Sequence, residues 1–182
     1  MSDEESLKFW KEPLDLRYRP ETYPWYLIDR RGSIMPLSSA NQAPIMRRID
    51  SQGTPLVRLI NYREEAVWVE TGLIFLDQWP KPKPLGSVED LHAGFYNGDC
   101  TDFSISNLYY TTDENIEMAK SWVLSDETAI FFIKEVNGEA AWGFRNVMTC
   151  AMTLGMDPMD VVKLRTGRLT YNGYDWGFGI YD

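Results

Sequence analysis

Residues 95–108 read FYNGDCTDFSISNL and residues 109–124 continue YYTTDENIEMAKSWVL. Asn97-Gly98-Asp99 is a strong turn signal, because glycine accepts a positive φ and Asn and Asp side chains bond their own backbone. TTDENIEMAKSWVL (111–124) predicts a helix, with Thr112 as its cap and Asp113 and Glu114 at its positive end. Moving outward toward the C-terminus, TAIFFIKEV (128–136) predicts a strand ended by Asn137-Gly138. NVMTCAMTLGM (146–156) predicts a helix with Val147, Ala151 and Leu154 on one face and Gly155 at its end. DPMDVVKLRTG (157–167) predicts a second helix, capped by Asp157 with Pro158 at its first position. Two short helices joined across one glycine suggest a helix-turn-helix. YNGYDWGFGIY (171–181) reads as a final strand or wing, and Trp176, Tyr174 and Leu154 are expected to fill the core of this tail.

Outward toward the N-terminus, Pro80, Pro82 and Pro84 make a stiff linker. AVWVETGLIFLDQW (66–79) starts as a strand and becomes a short buried helix, and PLVRLINY (55–62) alternates as a strand does. A looser stretch rich in Ser, Asn, Gln and Pro precedes it. WYLIDRRGSIM (25–35) reads as two short strands around a turn at Arg30-Arg31-Gly32, and the first 24 residues look like an extended lead-in.

The totals exclude several classes. With one histidine, two cysteines 50 positions apart and no CxxC, a zinc site built from several Cys and His ligands is nearly excluded. The opening MSDEESLKFW is acidic and unlike a secretion signal, and apolar runs such as Ala129–Ile133 are too short to span a bilayer, so an intracellular, soluble protein without a membrane partner is expected. The net charge of −9 is not spread evenly: residues 61–136 hold 14 acidic against five basic side chains. Binding a polyanion needs Lys and Arg that displace counterions, so this middle stretch suits nucleic acid poorly.

Three stretches together resemble the HNH homing endonucleases of phage genomes and introns. ETYPWYLIDRRGSIMPL (21–37) is similar to the family's opening strand–turn–strand module. The family's nuclease core runs roughly H-I-D-G-D-x-x-N-N-R-I-x-N-L, then a short aromatic strand, then E-N on a helix. In FYNGDCTDFSISNL, Gly98, Asp99, Ile105, Asn107 and Leu108 match in register, and Glu114-Asn115 matches the later pair. GFRNVMTCAMTLGMDPMDVVKLRTGRLTYNGYDWGF (143–178) is similar to the family's appended helix-turn-helix, which ends in a Gly-Tyr-x-Trp strand as Gly173 to Trp176 do. The resemblance covers about three-quarters of the chain.

In that family the core's first histidine is the general base, the residue before it and a helical residue hold a divalent metal, and the middle Asn orients the histidine. Here the histidine position is Phe95 and the preceding ligand position is Gly94. Neither a phenyl ring nor a hydrogen accepts a proton or binds a metal. Asn107 and Asn115 keep the places of the orienting residue and the helical ligand, and His92 is a substitute base only if the register shifts. The resemblance therefore implies a pseudoenzyme with no intact catalytic residue, no metal and no cofactor.

The expected fold is α+β: a small mixed β region, a degenerate ββα-metal (HNH-like) unit and a C-terminal helix-turn-helix, divided as 1–24, 25–136 and 137–182. Three functional readings stay open. A protein-binding scaffold, in the virion or against a nucleic-acid enzyme in the host cytoplasm, would use Phe95, Asp99, Asp102 and Phe103, with the acidic middle mimicking DNA. A DNA-binding protein would use Lys163, Arg165 and Arg168 of the tail with Arg30, Arg31, Arg47 and Arg48, although Asp157 and Asp160 stand at the leading end of the second tail helix. A divergent, active metal-dependent endonuclease would use His92.

Overall fold

One piece of local chemistry recurs three times near the start of the chain. Asp29 Oδ1 accepts hydrogen bonds from the backbone N–H of Arg31 and Ser33 (2.9 and 3.1 Å), folding the chain between β1 (Tyr26–Ile28) and β2 (Ile34–Pro36). Asp50 Oδ1 accepts in the same way from Gln52 and Thr54 between β3 (Met46–Ile49) and β4 (Pro55–Ile60). Asn61 Oδ1 does so from Arg63 and Glu65 between β4 and β5 (Ala66–Glu70). An Asx side chain stands in for a turn's backbone bond, so each hairpin is specified by its first loop residue. This computed structural model describes residues 16–37, 45–86, 89–121, 131–135, 141–144, 146–164, 169–171 and 174–178.

The described residues form a mixed α/β chain of four helices and several small sheets. It divides into two compact units. The first comprises Met1–Trp79 together with Asp99–Ile105. Its antiparallel sheet has the order β3-β4-β5, and α1 (Thr71–Gln78) follows β5 directly. Alternation along β4 buries Val57 and Leu59, while Leu56, Arg58 and Ile60 lie on the opposite face. Ile74, Phe75, Leu76 and Trp79 complete the core, with the Phe75 ring stacked on Phe103 at 6.1 Å. Tyr18 pairs with Ile28 and sets its ring edge-on to Trp79, so the expected lead-in is already part of the fold from that residue.

The second unit comprises Pro80–Gly98 and Ser106–Asp182. β6 (Leu91–Phe95) pairs antiparallel with β7 (Leu108–Thr112), and α2 (Asp113–Ala119) begins where β7 ends. Thr112 caps that helix by accepting from Asn115 N–H. The predicted helix starts later than 111 because Tyr109 to Thr112, aromatic and β-branched, pair with β6 first. The helix ends at Ala119, where the Lys120 N–H turns back to the Glu117 and Met118 carbonyls, short of the expected end at 124. β8 (Phe131–Glu135), β9 (Ala141–Phe144), β10 (Leu169–Tyr171) and β11 (Tyr174–Phe178) form a sheet of order β10-β11-β8-β9.

α3 (Val147–Leu154) is capped by Asn146 and closed by Gly155 at φ 69°, and α4 (Pro158–Leu164) starts after Asp157, which accepts from Met159 N–H. Val147, Cys150 and Ala151 of α3 join Met159, Val161, Val162 and Leu164 in one core with Tyr96 and Trp176. Trp176 is 2% exposed and Leu154 packs against the same cluster, as expected; the Tyr174 side chain lies outside the described residues. The tail helices share this core with Tyr96, which follows β6. No described helix is long and apolar enough to cross a membrane.

Candidate functional site

The hairpin β6–β7 and the helix after it carry the residues that sequence reading singled out. Cross-strand register sets Gly94 opposite Tyr109, Phe95 opposite Leu108 and His92 opposite Thr111. Directly paired residues share a face, so Gly94, Tyr109, His92 and Thr111 lie on one side and Phe95 and Leu108 on the other. Gly94 has no side chain for a spatial reason: a Cβ placed on it would run into the Tyr109 ring. The phenol ring covers the point from which a metal-binding side chain would have to grow.

Asn107 is buried and serves the turn. Its Oδ1 accepts from Asn97 N–H at 2.9 Å, and its carbonyl accepts from Tyr96 N–H at 2.9 Å. Together with Gly98 at φ 73° these bonds close the loop that leaves β6. Phe95 is half-buried. His92 Nε2 lies 3.2 Å from Oδ1 of Asp113, the first residue of α2.

Asn115 is only 1% exposed and every group on its amide is engaged. Nδ2 donates to Asp157 Oδ2 and to Asp160 Oδ1, both at 2.9 Å, and Oδ1 accepts from Lys163 Nζ at 2.7 Å. Lys163 also reaches Glu114 at 3.1 Å, and Asp160 Oδ2 accepts from Leu85 N–H at 3.0 Å. Burial pushes both Asp157 and Asp160 up from the usual carboxylate range; hydrogen bonds from Thr111 and Asn115 to Asp157, and from Asn115 to Asp160, pull the other way. The sequence hinted at Asp157 only as a helix cap. That Asp157 and Asp160 share one amide was illegible, because the pairing spans more than 40 residues.

The divalent ion implied by the family resemblance does not fit these residues. Positions 94 and 95 offer no donor atom, and the amide oxygen of Asn115 already faces an ammonium, which repels a second cation. Among the described residues no group of three or more His, Cys, Asp or Glu is arranged to hold a metal.

Several expected contact residues need correction. Arg30 is 3% exposed, so it cannot reach a phosphate at the surface; its carbonyl accepts from Ile105 N–H. Phe103 is a core residue stacked on Phe75 rather than an exposed side chain, and its backbone lies where a side chain on Gly32 would sit. Lys163 faces inward to Asn115 and Glu114. Asp157 and Asp160 are buried, not exposed at the leading end of a surface helix. Asp99 and Asp102 fold their own loop, accepting from the N–H and hydroxyl of Thr101 and of Ser104. Arg31, Arg47 and Arg48 are exposed, while Arg165 and Arg168 lie outside the described residues.

Sequence reading missed strand β3, which carries Arg47 and Arg48. All four of its residues are exposed, so it shows no buried alternation to find. Its Arg48 guanidinium stacks over Trp68 at 4.2 Å.

A solved structure resembles this chain along nearly its whole length. It is that of the HNH homing endonuclease I-HmuI, described as binding and cleaving DNA; the match covers 92% of this chain and 99% of that one, with a TM-score of 0.43 and 14% identity. No protein-family model matches the chain, and no curated protein matches it.

Proposed function

We propose that this chain is a catalytically inactive descendant of an HNH-type nuclease, kept as a protein-binding scaffold. In this reading β6, β7 and α2 are the degenerate ββα unit, and α3 and α4 are its helix-turn-helix. The partner is a phage or host protein, met in the virion or the host cytoplasm, such as an enzyme that handles nucleic acid.

The observation that carries the reading is the state of Asn115. In a working site its amide oxygen would face a metal; here Lys163 holds that oxygen and two buried carboxylates hold the nitrogen. An ammonium at 2.7 Å from a ligand oxygen is a replacement for the cation, not a neighbour of it. The ring over Gly94 and the phenylalanine at 95 agree.

The choice of protein over DNA rests on charge. Lys163 is engaged internally, which leaves the tail at most about two phosphate contacts and a shallow salt slope near −2 on a log–log plot. Exposed acids of the second unit, among them Glu89, Asp90, Asp113 and Glu114, supply an acidic surface for the DNA-mimicking form of this reading. The competing reading, a DNA-binding protein, draws on Arg47 and Arg48, which stand exposed beside Trp68.

Incubating supercoiled plasmid with the protein and Mg²⁺ or Mn²⁺ tests the first half; no nicking above a buffer control is expected. Metal-dependent nicking that disappears in His92→Ala would sink it. Titrating labelled duplex DNA at physiological salt tests the second half, and submicromolar binding abolished by Arg47→Ala with Arg48→Ala would move the assignment to DNA binding.

A further inference from the structure

We propose that the free edge of β3 and the cavity beside it form a docking site for an extended, acidic segment of a partner protein, which adds to the sheet as a fourth strand. The inference rests on the protein-binding reading above and names the site and the chemistry of its occupant.

β3 is the end strand of the β3-β4-β5 sheet among the described residues, and every one of its residues is exposed. Register with β4 uses only one side of it. Alternate backbone N–H and C=O groups on the other side therefore point outward, as on any edge strand, and can receive another chain. Peptide addition to such an edge takes its affinity from main-chain hydrogen bonds and its specificity from pockets for alternate side chains.

A pocket is present. A cavity of about 230 Å³ runs beside β3, lined by Arg47, Arg48, Ile49, Leu56, Cys100 and Phe103 among others. It falls below the roughly 300–1,000 Å³ of small-molecule sites, which favours a side chain over a cofactor as its occupant. Its floor is apolar. Arg47 and Arg48 are among its lining residues and, among the described residues, no acidic side chain is, so the matching segment carries an apolar residue for the cavity and a carboxylate close by. Arg48 is held by its stacking on Trp68, which limits the rotamer freedom lost on binding. Ile49, 60% exposed, adds an apolar contact at the end of the strand.

The same arginines disfavour a second copy. Two β3 strands pairing antiparallel about a twofold axis through their middle would set Arg47 of each against Arg48 of the other, and like charges directly opposite destabilise a pair. A DNA duplex has no amide ladder to extend the sheet.

Panning a random peptide library against the full-length protein tests this. Selected peptides should share an apolar residue one or two positions from Asp or Glu. Their affinity, read by fluorescence polarisation, should fall about tenfold or more in Arg47→Glu with Arg48→Glu, as expected for reversed charge at a contact. Cys100 gives an independent readout. Cys150 is fully buried, so a thiol reagent acts first on Cys100, and a saturating selected peptide should slow that reaction. An unchanged far-UV circular dichroism spectrum and urea midpoint in the variant show that it is folded. Failure to enrich any acidic–apolar motif, equal binding by the charge-reversed variant, or an unprotected Cys100 would each overturn the proposal. Protection of Cys100 by duplex DNA but not by peptide would assign the groove to nucleic acid. Metal-dependent nicking bears on the inactive-nuclease reading alone and leaves the Cys100 result standing.

Discussion

Replacing Asn115 by Ala removes two hydrogen bonds to carboxylates and leaves Asp157 and Asp160 facing each other across the gap. A hydrogen bond to a charged group contributes about 1.5–3 kcal/mol, and stripping one partner from a buried charged group costs about 3–5 kcal/mol. Relaxation and entering water offset part of this, so a loss of about 3–5 kcal/mol is expected at pH 7.5. The pH dependence is the sharper part. Burial raises both carboxyl groups above their unfolded values, so the folded chain holds their protons more tightly than the unfolded chain does. Stability from such groups is fully present below the unfolded carboxylate range and is lost as pH rises through the raised values. The variant lacks the bonds that favour the charged form, so its deficit should shrink as pH falls from 7.5 toward 4.5 and one carboxyl becomes neutral. Urea unfolding at several pH values, followed by far-UV circular dichroism, measures it. A deficit below about 1 kcal/mol, or one that does not change with pH, would refute the assignment of Asn115 as the bridge between two buried acids.

Gly94→Ala should cost about 1–3 kcal/mol, since the new methyl must displace the Tyr109 ring; a neutral result in thermal unfolding would mean the ring does not lie there. Trp176→Ala should cost about 3–5 kcal/mol, because that side chain is 2% exposed in the core of the second unit, and unchanged stability would place it at the surface. The Lys81 amine, which donates to the Leu108 carbonyl, is pushed down to about 8 by burial. Pulsed acetylation read by mass spectrometry should therefore show it titrating well below the ordinary lysine value of about 10.4; a midpoint at that value would contradict its burial. Its folded value lies below its unfolded one, so its contribution to stability rises with pH between about 8 and 10.5.

What the sequence revealed was what neighbouring residues decide among themselves. The turn at Gly32, the cap at Thr112, the αL glycine at 155 and the Asp157-Pro158 helix start each need only two to five consecutive residues, and all stand where expected. Burial was harder to read. Phe103 reads as an apolar anchor beside Asp99 and Asp102, yet its partners are Phe75 and Gly32, far away in the chain. Arg30 looked like a surface cation beside Arg31, yet it is buried. Asp157 and Asp160 looked like exposed charges because nothing local shows that an asparagine 42 and 45 residues earlier meets them.

The return of residues 99–105 to the first unit bears on how such a protein can be cut and recombined. Domains that evolve as cassettes usually meet at one exposed linker, so a single crossover exchanges them whole. Here the chain leaves the first unit at Pro80, re-enters it at Asp99 and leaves again at Ser106. A crossover anywhere between 80 and 98 would deliver the first unit without the ring that stacks on Phe75. The two units are thus bound to pass through gene exchange together, and a truncated gene ending in the proline-rich stretch would encode an incomplete core.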